Sequence, residues 1–169
     1  MLTRVAAVAV AALAPIAGAQ MFGETITAEW HYGGLGNPIE SHQVVVSNAV
    51  ELPADQILND TKFSIDLTDD RVSFAFNAES VWTLSTFNGW YFADTNGVLP
   101  DIIGYFIWSY TGIGTPVVTT GWNNNAFWAD FTDSHFYAGD VLTMEVIFVP
   151  APSTALAACI GLAALRRRR

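Results

Sequence analysis

Hydrophobic and polar residues alternate with a period of two through most of the chain between residues 20 and 149. Successive side chains of a β-strand point to opposite faces, so this period predicts strands with one buried face. The clearest examples are 63–67, 72–76 and 142–148. The pattern predicts further strands at 26–32, 43–50, 82–84, 90–93, 102–110, 117–120 and 127–131.

Turn-forming pairs such as Asn88-Gly89 and Asn96-Gly97 separate the predicted strands, and no segment between them has a helical apolar face. The single cysteine, Cys159, lies beyond this region, so the fold must be stabilised by packing without an intramolecular disulfide. We therefore predict an all-β domain at 20–149, an antiparallel two-sheet sandwich of jelly-roll or immunoglobulin-like type. It is flanked by a signal peptide and a short C-terminal apolar helix.

The first nineteen residues are typical of an export signal. Arg4 supplies the positive charge, 5–13 form a short apolar segment, and Ala17 and Ala19 form the A-x-A cleavage site before Gln20. The sequence therefore predicts a signal peptide at 1–19 that the export machinery removes.

The last twenty-one residues have three parts: a proline motif, an apolar stretch and a terminal arginine run. The motif consists of Val149, Pro150, Ala151 and Pro152, and the run consists of Arg166, Arg167, Arg168 and Arg169. Proline fixes φ and lacks an N–H, so the folded domain should end near Val149. The stretch at 155–165 is shorter than the roughly 20 apolar residues of a full span. We expect transient membrane insertion, with the arginines on the cytoplasmic side.

This combination of parts resembles the PEP-CTERM sorting signal, with Ala151 at a position where Glu is common. The resemblance implies processing by an exosortase-like membrane protease and delivery to the cell envelope, outer surface or an exopolysaccharide-containing extracellular matrix. The segment Ala138-Gly139-Asp140 before a last strand resembles small all-β ectodomains of unknown function that precede such tails. The alternative interpretation of 150–169 is an ordinary tail-anchor helix.

Net charge excludes one class of partner. Between Gln20 and Val149 sixteen acidic residues face two basic ones, Lys62 and Arg71, which gives a formal charge of −14. Nucleic-acid binding depends on Lys and Arg replacing counterions, so we expect no nucleic-acid partner.

Motifs for catalysis are absent from the sequence. The three histidines have no zinc-binding spacing, and neither a G-x-S-x-G nor a phosphate-binding loop is present. Paired carboxylates could hydrolyse glycosides, and Glu29, Glu40, Glu79 and Glu145 are candidates, but pairings by chance are expected among so many acids. We therefore predict that the protein is not an enzyme.

Acidic turns offer a candidate calcium site. Asp66 and Asp69, or Asp130 and Asp133, place carboxylates near turns, and Ca²⁺ prefers such oxygen ligands. The alternative is that these are solvated turns whose charge keeps sheet edges from pairing. Otherwise we expect no cofactor.

Aromatic residues are the other chemical feature of the domain. Trp90 and Tyr91 lie near Asn and Asp in 87–96, and Trp122 and Trp128 do so in 122–130. Exposed rings can stack on sugars while the polar groups bind hydroxyls, although core packing also explains such rings. Because neighbouring strand residues face opposite ways, one of Trp90 and Tyr91 should lie outside.

The sequence thus predicts an exported surface or matrix protein with a structural or adhesive role. The alternative hypothesis is a carbohydrate-binding module that uses exposed aromatic rings, with or without calcium.

Overall fold

The period-two alternation corresponds to eleven strands within residues 21–57 and 62–149, the residues that the computed structural model describes. The strands are β1 Thr25–Tyr32, β2 Glu40–Val45, β3 Phe63–Leu67, β4 Arg71–Phe76, β5 Ser80–Val81, β6 Asn88–Ala93, β7 Ile102–Thr111, β8 Thr119–Asn123, β9 Ala126–Asp130, β10 His135–Phe136 and β11 Val141–Phe148. The only helical segment among the described residues is a 3-10 turn at Ala54–Gln56.

Two antiparallel sheets pack as a sandwich. Sheet A has five strands in the order β2-β1-β6-β9-β8, and sheet B has four in the order β3-β4-β11-β7. The short strands β5 and β10 pair with each other. The chain passes from sheet B to sheet A between β7 and β8, where the Thr120 hydroxyl donates a hydrogen bond to the Tyr105 carbonyl at 3.0 Å. The described part of the chain is therefore an all-β sandwich, as the alternation predicts.

Aromatic rings dominate the core between the sheets. Phe74 of sheet B packs edge-on against Phe131 at 4.9 Å and contacts Phe92 of sheet A at 6.3 Å between ring centroids. Phe76 stacks on Phe136 at 3.9 Å. Each fully buried large apolar side chain contributes about 1.5–3 kcal/mol relative to exposure, so packing can stabilise this disulfide-free domain.

Strand β2 begins three residues earlier than the predicted strand at 43–50 and ends before it does. The cause is a polar pair on the core side of the strand. Glu40 is buried, the His42 Nε2 atom lies 2.5 Å from its Oε1, and the His42 ring stacks on Trp90 at 6.5 Å. Polar residues in inward positions conceal the start of the strand. The predicted strand at 82–84 is replaced by β5 at Ser80–Val81.

Residues 21–57 and 62–149 belong to one compact unit. Val149 is exposed, and its N–H donates to the Asp101 carbonyl at 2.8 Å. The predicted signal peptide, with Ala17, Ala19 and Gln20, lies outside the described residues, as do Pro150, Ala151, Pro152 and Arg166 to Arg169 of the predicted tail. In residues 21–57 and 62–149, no helix has the length and apolar character needed to cross a bilayer.

Candidate functional site

The outer face of sheet A, which points away from the core, carries a row of side chains that crosses all five strands. The strand register pairs Ser41 with Glu29 and Glu29 with Tyr91. It continues by pairing Tyr91 with Trp128 and Trp128 with Gly121. Directly opposed residues on one face of a sheet have Cβ atoms about 4.5–5.5 Å apart, so these residues are neighbours. The row therefore has a polar end, two aromatic rings in the middle and a glycine at the other end.

The two rings of the row are close and nearly parallel. The ring centroids of Tyr91 and Trp128 are 5.9 Å apart, and the planes differ by 20°. The indole of Trp128 lies against Gly121: a Cβ at position 121 would be 2.5 Å from Cε2 and Cζ2 and 2.6 Å from Nε1. Only glycine leaves room for the indole here, so the sequence of β8 holds Trp128 down on the sheet.

A carboxylate–imidazole pair stands beside the rings. The Nε2 atom of His31 lies 3.1 Å from Glu29 Oε2, and the Ser41 hydroxyl donates to Glu29 Oε1 at 3.4 Å. The His31 ring packs edge-on against Tyr91 at 5.9 Å and against Phe87 at 6.3 Å. In the tautomer of a neutral imidazole that carries its hydrogen on Nε2, this nitrogen donates a hydrogen bond to Glu29. The other nitrogen, Nδ1, is then an acceptor.

That second nitrogen is unusual. His31 is only 3% exposed, and its Nδ1 atom is buried with no hydrogen-bond partner in the part of the chain that the structure describes. Buried polar atoms without partners cost about 1–3 kcal/mol, and such atoms are rare in folded proteins. The described residues leave other buried atoms without partners as well, among them Nε1 of Trp82 and Nε1 of Trp90.

The loop between β1 and β2 turns the flat sheet surface into a groove. Gly33 and Gly34 adopt φ of 84° and 137°, a region that favours glycine, and they let the chain turn back over the sheet. Leu35 and Pro38 then form one wall. The groove has a volume of about 350 Å³ and is lined by Glu29, His31, Leu35, Gly36, Pro38, Tyr91, Asn123 and Trp128. Pockets of this kind, with aromatic walls and a few polar groups, are typical of small-molecule sites.

The structure brings together two of the four aromatic residues predicted for a surface patch. Tyr91 and Trp128 form the ring pair of the groove. Trp90 does not belong to the patch, because the alternation of β6 points it inward and it is fully buried. Trp122 is 45% exposed, but its register partner is the buried core residue Phe127. It therefore lies on the core-facing side at the edge of the sheet, opposite the face that carries Trp128.

Two predicted calcium ligands, Asp130 and Asp133, lie at the connection that follows β9. The Oδ1 atom of Asp130 accepts hydrogen bonds from the Asn88 N–H at 3.0 Å and from both the N–H and the hydroxyl of Thr132, at 3.0 and 2.7 Å. Asp133 adopts a left-handed φ of 67° in the same connection. These contacts account for Asp130 without a metal ion.

The other two predicted ligands lie near sheet B. Asp66 is next to Glu51, and burial, followed by the charge and hydrogen bond of Glu51, raises the pKa of Asp66. Asp69 lies in a second depression of about 380 Å³ with Phe22 and Asn48. Nowhere in residues 21–57 and 62–149 do three or more His, Cys, Asp or Glu side chains form a group that could hold a metal ion.

The four glutamates considered as paired carboxylates have partners of other types. Three of them are each within hydrogen-bonding distance of a histidine instead: Glu29–His31 at 3.1 Å, Glu40–His42 at 2.5 Å and Glu79–His135 at 2.8 Å. Glu145 lies 3.9 Å from Arg71 on sheet B. Within the lining of the groove, Glu29 supplies the carboxylate.

Sequence reasoning missed several members of the site, among them Glu29, His31 and Gly121. Glu29 appeared only as a candidate catalytic acid, His31 only as a histidine without a metal spacing, and Gly121 not at all. The alternation of β1 does place Thr27, Glu29 and His31 on one face, a signal that could have grouped the last two. Gly121 could not be found this way, because its role depends on the strand beside it.

Comparison of the chain with protein-family models, with curated proteins and with solved structures finds no match.

Proposed function

We propose that this protein is an exported glycan-binding protein, and that the groove on the outer face of sheet A holds the sugar. The observation that carries the proposal is the row Ser41–Glu29–Tyr91–Trp128–Gly121, in which polar groups and stacked rings meet on a solvent-facing sheet surface. Binding is the proposed role, and we propose no catalytic reaction.

The chemistry of the groove matches a sugar better than an apolar ligand. Each pyranose ring has an apolar face that can pack on Tyr91 or Trp128, and its hydroxyls need hydrogen-bonding partners around the rim. The Glu29 carboxylate and the Asn123 amide, which both line the groove, supply acceptors and donors there. Tyr and Trp are also the residues that most often dominate binding energy when they are preorganised.

The sequence features at the two ends of the chain support a proposal about the cellular setting of this binding. We propose that 1–19 and 150–169 are the export signal and a PEP-CTERM-like sorting tail, and that the domain acts at the cell surface or in the matrix as an adhesive element. Exopolysaccharide is the proposed partner. We also propose the jelly-roll type for the sandwich, because β4 pairs with β11 and β6 with β9 in a nested order across the two sheets.

The test is binding of the full chain to an array of extracellular polysaccharide fragments, followed by titration calorimetry on the best ligand. Trp128→Ala and Tyr91→Ala should each weaken binding about 10- to 100-fold, the range for a dominant aromatic contact. Trp108→Ala is the matched control, since Trp108 is 52% exposed on sheet B, with the Arg71 guanidinium 4.4 Å from its ring centroid.

Equal losses in the Trp108 and Trp128 variants, or no glycan bound at all, would contradict the proposal. Titration with EDTA separates the calcium-assisted alternative, because binding through the groove residues alone should be unaffected by a chelator. Deleting 150–169 should abolish surface attachment while leaving glycan affinity unchanged, as measured on the secreted protein.

A further inference from the structure

The charge around the groove indicates what kind of glycan it binds. We propose that the ligand is a glycan with positively charged amino groups, such as a de-N-acetylated hexosamine polymer, held by Glu29 while its ring lies on Tyr91 and Trp128. This inference rests on the proposed function of glycan binding and adds a substrate class to it.

Sheet A has no fixed positive charge. Its five strands contain no Lys or Arg, and the two basic residues between 20 and 149 are Lys62 and Arg71, next to and within strands of sheet B. Arg71 is engaged on that sheet, since its guanidinium lies over Trp108 at 4.4 Å and its nitrogen atoms are 3.8 Å from Asp70 and 3.9 Å from Glu145. A uronate or sulfate in the groove would therefore find no fixed cation and would meet a domain of formal charge −14.

Glu29 has room for a ligand cation. Its side chain is 24% exposed, and its two oxygens are engaged by His31 at 3.1 Å and by Ser41 at 3.4 Å, of which the second bond is long. An ionised carboxylate offers about four acceptor sites, so further donors can be accommodated. An ammonium group is the donor that gains most here, because it adds charge to the hydrogen bond.

The rings favour the same charge. The faces of Trp and Tyr attract cations, and a group that sits between a ring and a carboxylate benefits from both. Glu29 is the direct register partner of Tyr91, so the substituents of a sugar lying on the Tyr91 ring come within reach of the Glu29 carboxylate. The same residues that stack a neutral sugar therefore discriminate in favour of an amino sugar.

The experiment compares glucosamine oligosaccharides with their N-acetylated counterparts of the same length, at a pH where the free amines are protonated. The full wild-type chain should bind the amine form about two- to fivefold more tightly, as expected for one partly screened charge pair, and this preference should shrink as salt is added. Glu29→Gln removes the charge of the carboxylate, so this variant should bind the amine form and the N-acetylated form with equal affinity. Glu145→Gln, an equivalent change on sheet B, should leave the preference for the amine form unchanged.

Trp128→Ala distinguishes groove binding from diffuse attraction to an acidic protein. It should weaken binding of both oligosaccharide forms. Unchanged binding of the amine form in this variant would overturn the inference, as would equal binding of the two forms by the wild type or a preference that survives Glu29→Gln. Tight, Trp128-dependent binding of a different, uncharged glycan would refute the amino-sugar assignment alone and leave the proposed function standing.

Discussion

Replacing Asp140 by asparagine changes a buried carboxylate that joins two parts of the chain. Asp140 is 1% exposed. Its Oδ2 atom accepts hydrogen bonds from the Tyr110 hydroxyl at 2.7 Å, the Tyr137 N–H at 2.9 Å and the Gly114 N–H at 3.1 Å. Its Oδ1 atom accepts one from the Ile113 N–H at 3.0 Å. The side chain therefore fixes the connection after β7 against the turn that precedes β11.

The size of the effect follows from this geometry. Asparagine has a single acceptor oxygen, and keeping three donors satisfied places its amino group against the fourth donor, the Ile113 N–H. Hydrogen bonds to a charged group contribute about 1.5–3 kcal/mol and neutral ones about 0.5–1.5 kcal/mol, so the three retained bonds lose about 1 kcal/mol each. Ile113 is 80% exposed, and its N–H can recover a water at little further cost. Asp140→Asn should therefore lower the free energy of unfolding by about 3–4 kcal/mol.

Urea unfolding followed by tryptophan fluorescence measures this change. With an m-value of about 2 kcal/mol/M, the midpoint should fall by about 1.5–2 M. Asp101→Asn is the control, because that residue is exposed and the substitution removes the same charge. A loss below about 1 kcal/mol at Asp140, or an equal loss at Asp101, would refute the claim that the carboxylate organises the turn.

The pH dependence gives an independent check. Burial by itself raises the pKa of Asp140, but the hydrogen bonds from Tyr137, Tyr110, Ile113 and Gly114 outweigh burial and hold the pKa below its ordinary value. A carboxyl with a lowered pKa contributes stability that is present above the ordinary pKa of about 3.9 and is lost as the pH falls through its folded value. The gap between wild type and Asp140→Asn should therefore be full at about pH 7 and close under acid conditions. A gap that is constant with pH would contradict this account.

Three further changes test other parts of the molecule. Phe74→Ala removes a fully buried ring between the sheets and should lower the free energy of unfolding by about 3–5 kcal/mol in urea titrations. Burial and the hydrogen bond to Asp140 raise the pKa of Tyr110 to about 12, so ultraviolet titration should show a late-ionising tyrosine that Tyr110→Phe eliminates. The stability that the Tyr110 hydroxyl provides should hold below about pH 10 and disappear as the pH rises through that raised value. Gly121→Ala places a Cβ 2.5 Å from the Trp128 ring, so calorimetry should show weaker glycan binding with cooperative unfolding retained.

Most strands of the fold can be predicted from short segments of sequence, because residues alternate between polar and apolar wherever outward side chains are polar and inward ones apolar. Strand β4 is an example: its residues alternate strictly between half-buried and buried positions, and the predicted strand at 72–76 differs from it by one residue. Strand β2 breaks the rule, since Glu40 and His42 point inward as a pair beside Trp90. A pattern of apolar residues cannot reveal an inward strand position that is occupied by a hydrogen-bonded polar pair.

The candidate site is less predictable, because it depends on strand order. Alternation requires Trp90 and Tyr91 to face opposite ways, but only the packed sheets decide which ring is buried. Trp122 and Trp128 lie in one hairpin and yet face opposite sides of sheet A, as their register partners show. The contact between Glu29 and Tyr91 joins residues sixty-two positions apart, and no local pattern links them.

The composition of the row is hard to explain by folding alone. A solvent-facing strand position needs only a polar residue, and an aromatic pair such as Tyr91 and Trp128 adds about 0.5–1.5 kcal/mol, far less than a core ring like Phe74. Glycine weakens a strand interior because it has no side chain to pack and loses more chain entropy, yet Gly121 stands where any larger residue would displace the Trp128 indole. Residues that are unfavourable for local structure are expected at functional sites, because such sites retain a geometry that lowers stability. Variants of Tyr91 and Trp128 should therefore lose binding while keeping nearly all of their folding free energy.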